Sequence, residues 1–275
     1  MDTIEGRGAV VVGGGSGVGR GTCVALARAG ARVVVADIEI DAAEATAAEI
    51  RAAGGAARAA AVDGTDELSL RSLADTAEAE LGRIDVFANN VGVIVDAPLV
   101  DATEEQWAWV IELNLMSIVR GVRVFAPRLR HGEGAHIVNT ASMAALLALP
   151  PEMVGGVHLG LYTTTKHALH GYSEILRNEL APDGIGVSVL CPGLVASNLG
   201  ATSMRNRPER HGGPVAAENP AEPVPGSMDP ATAGEFVVDG ILGNRLHILT
   251  HPESQPLVDA RHAALVDDFE YARER

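Results

Sequence analysis

Seven short apolar runs punctuate the chain: "AVVVG", "RVVVAD", "ARAAAVD", "RIDVFANN", "AHIVNTA", "GVSVLCP" and "RLHILTH". Longer alanine-rich stretches of helical character separate them, at about 17–29, 41–53, 66–81, 103–129 and 161–181, with a last one near 255–272. The runs are continuously apolar rather than alternating, which suggests strands buried on both faces. Strand followed by helix, repeated along a chain, implies a parallel sheet with right-handed crossovers and helices on both sides. The expected fold is therefore α/β, a doubly wound parallel sheet, and ligands are expected at the carboxyl ends of its strands.

The 275 residues fit one large domain, 1–275. Acidic side chains outnumber basic ones by 36 to 21, a net charge of −15, which discourages attraction to nucleic acid or to an anionic membrane surface. The N-terminus "MDTIEGRGAVVVGGG" lacks a basic segment followed by an apolar one, and no apolar run approaches the ~20 residues of a membrane span. A cytoplasmic protein is expected. Cys23 and Cys191 form no CxxC pair, so neither a disulfide framework nor a thiolate zinc site is expected. Two segments, 144–160 and 200–230, are too long for ordinary connections and are candidate functional loops.

The first run leads into "VVVGGGSGVGRG", which sets Gly13, Gly17 and Gly19 between a strand and a helix. Glycines permit a tight turn there and let backbone N–H groups approach a pyrophosphate at the positive helix end. The spacing is G-x-x-x-G-x-G, not the strict G-x-G-x-x-G fingerprint. Asp37 closes the second run 18 residues past Gly19, where an acid can accept hydrogen bonds from an adenosine ribose. Asp41 and Glu44 supply a D-x-x-E capping box for the next helix, leaving Asp37 free for a ligand. A carboxylate would repel a 2′-phosphate, and no Arg or Lys follows in "ADIEID", so NAD is expected rather than NADP. Asp63 ends the third run, where an adenine contact and a plain turn role remain equally open.

These pieces, taken with "NNVG" at 89–92, Asn114 in "ELNLMS", Ser142 in "IVNTASMA", the Tyr162-x-x-x-Lys166 pair and "PGLVAS" at 192–197, resemble the short-chain dehydrogenase/reductase family. Each piece is weak alone, but their order and strand context make the set specific. The resemblance covers essentially the whole chain and implies a single Rossmann-like domain. It implies that Tyr162 is the acid/base and that Lys166 binds the nicotinamide ribose and lowers the tyrosine pKa. Ser142 would hold the substrate oxygen, and Asn114 would support a proton-relay water. By the same resemblance the cofactor lies against Gly13, Gly15, Ser16, Gly17, Val18 and Gly19, then Asp37, Ile38, Asp63 and Gly64. Asn90, Val91 and Gly92 line the cleft beside Asn89, while Pro192, Gly193, Val195 and Ser197 meet the nicotinamide amide.

The implied chemistry is physically coherent. A free phenol has a pKa near ~10 and accepts protons poorly at neutral pH. Residues four apart on a helix share a face, so Lys166 can stand beside Tyr162 in one cleft, where a cation favours the phenolate. The phenolate would take a hydroxyl proton as hydride leaves for the nicotinamide, and Ser142 would polarise the oxygen. An NAD(H)-dependent enzyme interconverting a secondary alcohol and a ketone is expected. A nicotinamide-dependent epimerase or dehydratase, or a non-catalytic NAD(H)-binding sensor, are the alternatives.

Four departures from the family pattern bear on detail. Val12, Val91 and Ser197 stand where the family usually has Thr, Ala and Thr. Ser142 lies twenty positions before Tyr162, more than usual, which makes Thr140 the fallback for the serine role. The extra residues are apolar and would bring Leu146, Leu147, Leu149, Met153 and Val157 beside the reacting carbon, favouring an apolar or aromatic substrate; capping the core is the competing use. The segment at about 198–230 occupies the place of the family's substrate lid, and its Arg205, Arg207 and Arg210 could meet an anionic group or simply be solvated. The ending "LHILTHPESQPLVDARHAALVDDF" resembles dehydrogenases that oxidise benzylic alcohols of lignin-derived aryl ethers. His167 with His170, and His247 with His251, lack a third ligand at recognisable spacing, so no metal is expected. Trp107 and Trp109 are expected in packing or an oligomer contact, the family pattern being a homodimer or homotetramer.

Overall fold

A computed structural model describes residues 1–131, 134–215 and 224–275. The seven apolar runs form seven strands: β1 (Gly8–Val12), β2 (Arg32–Asp37), β3 (Ala56–Ala61), β4 (Val86–Asn89), β5 (Ala135–Thr140), β6 (Ile185–Cys191) and β7 (His247–Leu249). All pair in parallel in the order β3-β2-β1-β4-β5-β6-β7. The chain winds outward from β1 in one direction and then from β4 in the other. The crevice at the carboxyl ends of β1 and β4 is therefore the topological switch point, the place where such sheets bind ligands.

The helices are α1 (Gly17–Arg28), α2 (Ile40–Ala52), α3 (Glu67–Leu81), α4 (Glu104–Ile111), α5 (Ser117–Leu129), α6 (Gly160–Leu180), α7 (Leu199–Arg205), α8 (Pro230–Leu242) and α9 (Gln255–Arg273). On one sheet face Val10, Phe87 and Ile137 pack with Leu70 of α3, Phe125 of α5 and Leu169 of α6. On the other, Val11, Val33 and Val138 pack with Leu26 of α1, Ala43 of α2 and Val237 of α8. Every residue of β1 and β5 is buried, as continuous apolar strands require. No helix among the described residues is long and apolar enough to cross a membrane.

Three expectations about local structure need correction. The stretch 103–129 is not one regular helix: Glu112–Met116 forms a π-helical segment between α4 and α5, one residue per turn wider than its neighbours. Helices α7 and α8 were not foreseen, because the Pro- and Gly-rich composition around them reads as loop; Asp229 caps α8 by accepting from Ala231 N and Thr232 N, with Pro230 at its first position. The capping box at Asp41 does not form, since Glu39 is the N-cap of α2 and Asp41 lies in its first turn.

Two features fix the framework of the site. At the α1–α8 crossing, a Cβ on Gly21 would lie 1.7 Å from Pro230 O, and one on Gly234 would lie 2.1 Å from Gly21 O. Only glycines let these backbones touch. Behind the cleft a buried polar chain crosses the sheet: Asn89 Nδ2 donates to Asn139 Oδ1 (3.0 Å), Asn139 Nδ2 to Ser173 Oγ (3.1 Å), and Ser173 Oγ to Leu169 O (2.8 Å). It joins β4, β5 and α6 with buried partners satisfied.

Candidate active site

The glycine turn closes β1 and opens α1. Gly13 and Gly17 have φ of +79° and +49°, in the left-handed region that favours glycine. Gly19 is needed for closeness, since a Cβ there would fall 1.9 Å from Gly13 O. Ser16 is the N-cap of α1 but makes no side-chain capping bond, and the first turn carries no acid, so its positive end faces the cleft uncompensated. Across the turn, Asp37 Oδ2 accepts from Gly15 N (2.9 Å) and Oδ1 from Glu39 N (3.1 Å). Asp37 thus holds both the glycine turn and the entry to α2, which corrects the idea that it is free of structural work. A carboxylate has about four acceptor positions, so capacity remains for a ligand.

A cleft of about 400 Å³ runs from this turn to the ends of β5 and β6. Gly13, Ser16, Gly17, Val18, Asp37, Ile38, Asp63, Gly64, Asn90, Val91 and Gly92 line one half. Ser142, Tyr162, Lys166, Pro192, Gly193, Val195 and Ser197 line the other. Three of the sequence-derived site residues do not line it. Gly15 and Gly19 act from behind, through the contacts just given. Asn114, in the π-helical segment, is fully buried: its Oδ1 accepts from Val93 N (2.7 Å), and its Nδ2 donates to Val93 O (2.9 Å) and Thr165 Oγ1 (3.1 Å). It pins the 92–93 loop to α6. Asp63 Oδ1 accepts from Thr65 N (2.8 Å) and Thr65 Oγ1 (2.7 Å), an Asx turn that realises its turn role.

At the far end, Tyr162 and Lys166 project from α6 as their four-residue spacing requires. Lys166 is 2% exposed; its Nζ donates to Thr140 O at 2.8 Å and stands 5.4 Å from the Tyr162 ring centre. Ser142 and Tyr162 line the same part of the cleft, near enough for the serine hydroxyl to favour the phenolate. Ser142 also accepts from Ala144 N at 3.1 Å, and despite the longer spacing it lines the cleft with Tyr162, as does Thr140. Burial of its hydroxyl end pushes the Tyr162 phenol up to about 12, partly offset by the Ser142 hydroxyl. Burial pulls the Lys166 ammonium down to about 8. Within the polypeptide, desolvation sets the direction of the phenol's shift.

The 144–160 segment corrects another expectation. Leu147 is buried in the main core with Leu146 and Leu149 packed on it, and Met153 is exposed; none of these, nor Val157, lines the cleft. The loop caps the core. The apolar wall comes instead from Trp109, Leu113, Val93 and Leu199. Trp109, expected in packing, is 3% exposed, stands 5.5 Å from the His211 ring, and has its Nε1 buried without a hydrogen-bond partner. A tryptophan on a helix carries no mark in the sequence that it faces a cleft rather than the core.

Helix α7 crosses the mouth of the cleft. Ser203 Oγ accepts from Ile94 N (3.0 Å) on one side. On the other, Arg205 Nε (3.1 Å) and Asn206 Nδ2 (2.9 Å) donate to Glu39 Oε1 beside Asp37. Burial works to raise Glu39, but these hydrogen bonds and the Arg205 charge hold its carboxyl below the ordinary range. Of Arg205, Arg207 and Arg210, Arg210 lines the cleft and the other two do not. Part of the lid segment, 216–223, lies outside the described residues. Beyond it a single parallel bridge pairs Met228 with Val195, with Ala196 N donating to Met228 O at 3.0 Å.

Cleft and residues together fit a dinucleotide. Asn90 Oδ1 is buried beside the glycine turn with no hydrogen-bond partner, an acceptor waiting for a donor, while its Nδ2 is spent on Gly13 O at 3.2 Å. The sheet order, the glycine turn at the switch point and the side chains opposite define a dinucleotide-binding α/β protein. Residues 7–208 match the short chain dehydrogenase family. The chain belongs to the short-chain dehydrogenase/reductase family, whose members are oxidoreductases that bind a nicotinamide cofactor and act on small molecules.

Particular relatives refine the comparison. The chain is similar to a Burkholderia phymatum short chain dehydrogenase/reductase solved with NAD (32% identity, TM-score 0.85, covering 98% of this chain and 97% of that one). It is 30% identical to the C alpha-dehydrogenase of Sphingobium sp. SYK-6 over 100% of this chain and 92% of that one. It is 39% identical to the probable oxidoreductase EphD of Mycobacterium tuberculosis over 70% of this chain, and the match spans 32% of that longer protein.

Proposed function

We propose that the protein is an NAD(H)-dependent dehydrogenase or carbonyl reductase that interconverts a secondary alcohol and a ketone of apolar or aromatic character. The observation that carries this reading is the meeting of Ser142, Tyr162 and Lys166 in the same cleft as the glycine turn and Asp37. Asp37, with the neighbouring Arg205 already engaged by Glu39, supports NAD over NADP. The walls formed by Trp109, Leu113, Val93 and Leu199 support the substrate class.

A nicotinamide cofactor held by these residues would supply the hydride acceptor for oxidation and the donor for reduction. Ser142 Oγ holds the substrate oxygen by hydrogen bond. Tyr162 takes the hydroxyl proton in oxidation and gives it back in reduction. Its high starting pKa means that oxidation depends on neighbouring positive charge, which Lys166 supplies while protonated, at neutral pH and below about 8. Asn114 keeps α6 in register with the 92–93 loop. The same reading takes the protein as cytoplasmic and as a homodimer or homotetramer.

The test is a screen of secondary alcohols and ketones with both cofactors, followed by reduced-nicotinamide absorbance. Tyr162→Phe should bind NADH as the parent does while turnover falls by roughly 10²- to 10⁴-fold. Unchanged turnover in that variant, or turnover with no net change in nicotinamide absorbance, would overturn the proposal.

A further inference from the structure

Outside the cleft, the fold gathers three metal-ligating side chains that lie 77 residues apart at their widest pairing in the hydrogen-bond pattern. His170 and Glu174 sit one turn apart on the outer face of α6, and His247 opens β7 at the sheet edge. Nε2 of His170 is 2.9 Å from Nε2 of His247, with the two rings stacked at 5.0 Å between centres. Glu174 Oε2 lies 3.7 Å from His170 Nδ1, and Glu174 Oε1 lies 3.9 Å from His247 Nε2. The donor atoms of all three fall within 4.8 Å of one another. Among the described residues this is the one such group. None of the three lines the cleft.

We infer that His170, Glu174 and His247 form a binding site for a divalent transition ion of the zinc type, which would tie α6 to β7. Two imidazoles and a carboxylate are a donor set suited to zinc, with a fourth position open to water. Metal–ligand bonds of 2.0–2.2 Å in a tetrahedron place donors about 3.4 Å apart. Taking Nε2 of both histidines and Oε1 of Glu174, the 2.9 Å and 3.9 Å separations bracket that value and the three donors stay within 4.8 Å, and the side chains are part-exposed, so small rotations close the difference. Nitrogen donors select against magnesium and calcium, which prefer oxygen.

The electrostatic balance is favourable but not free of opposition. Glu174 sets a carboxylate against both imidazoles, while Arg261 adds a positive charge nearby. Arg261 also donates to Leu146 O at 2.7 Å, which anchors its charge. The cost of that neighbouring cation is met by the Glu174 carboxylate entering the ion's coordination.

What the ion would hold follows from the strand it grips. β7 is only three residues long and pairs with β6 alone. Two residues beyond it, His251 Nδ1 accepts from Gly193 N at 3.1 Å, supporting the turn that borders the cleft. A clamp at His247 would thus steady the sheet edge and, through it, that turn.

The test uses untagged, chelator-stripped protein titrated with zinc by calorimetry and followed by thermal unfolding. One equivalent per chain is expected, with Tm rising by roughly 5–10 °C at zinc about 100-fold above its Kd. His170→Ala and His247→Ala should each weaken binding about 100-fold or more and abolish the Tm shift, with magnesium giving no shift in any form. Circular dichroism of the two variants without zinc should match the parent. Absence of zinc uptake, or uptake undiminished in both variants, would overturn the inference. Neither outcome depends on turnover, so it is separable from the function proposed above.

Discussion

The strongest single test of the cofactor reading is Asp37→Ala. In the structure this carboxylate accepts from Gly15 N at 2.9 Å and from Glu39 N at 3.1 Å, while lining the cleft. If a ribose hydroxyl uses the remaining capacity, the variant loses a hydrogen bond to a charged group, worth about 1.5–3 kcal/mol. That predicts a fall of roughly 10- to 150-fold in kcat/KM for NAD. For NADP the same change removes a repulsion, but Arg205 is engaged by Glu39, so the gain should be small in the single variant and larger when Glu39→Gln is added. Two backbone donors lose their acceptor as well. Because both lie at the edge of solvent, the expected cost is about 1–2 kcal/mol, a Tm drop of a few degrees. Steady-state kinetics with each cofactor, run below the Tm of every variant, separates the two effects. An NAD-to-NADP ratio of kcat/KM that stays the same in Asp37→Ala would refute the reasoning, as would a parent enzyme that favours NADP.

Three further outcomes follow from the packing and the site. Gly21→Ala forces a methyl group to within 1.7 Å of Pro230 O, so α1 and α8 must part; a loss of about 1–3 kcal/mol or more is expected, read as a lower denaturation midpoint. Burial, with help from Arg177 and the N-terminal ammonium, pulls the His136 imidazole down to about 3. Between that value and 6.5 the unfolded chain binds a proton that the native ring refuses, so stability falls as pH drops, by about 2 kcal/mol at pH 5 and at most about 5 kcal/mol overall. Urea melts at pH 7 and pH 5 should show this, with a flatter dependence in His136→Asn. Trp109→Phe removes the unpartnered Nε1–H; if a substrate acceptor uses it, KM rises up to about 10-fold with kcat nearly unchanged, while thermal stability holds or improves. A destabilised variant with unchanged KM would assign Trp109 to packing alone.

What could be seen in the sequence was whatever rests on short-range pattern. The seven strands are legible because each is a continuous apolar run, and the glycine turn because its spacing sits between a strand and a helix. Tyr162 and Lys166 fall together in the cleft because four residues make one helical turn. What stayed hidden rests on distant partners. Arg205 reaches Glu39 across 166 positions, so the sequence around Asp37 could not show that a cation stands nearby. Asn114 carries the right residue type, yet its bonds to Val93 and Thr165 are fixed only by the π-helical turn and the approach of α6. The leucines of 144–160 are apolar whether they meet a substrate or the core, and nothing local distinguishes the two. His170 and His247 read as separate pairs because their meeting depends on the register of β7 beside α6.

The amide chain from Asn89 through Asn139 to Ser173 fastens the reacting helix to the middle of the sheet, not to the segments that border the opening. The Asn114 bonds tie that same helix to Val93 in the cleft wall, so only the α7 side of the rim is mechanically separate from it. On the proposed function, the α7 side of the rim is free to be rebuilt for molecules of other shapes while the phenol and amine keep their places, so selectivity would drift there at little expense to turnover.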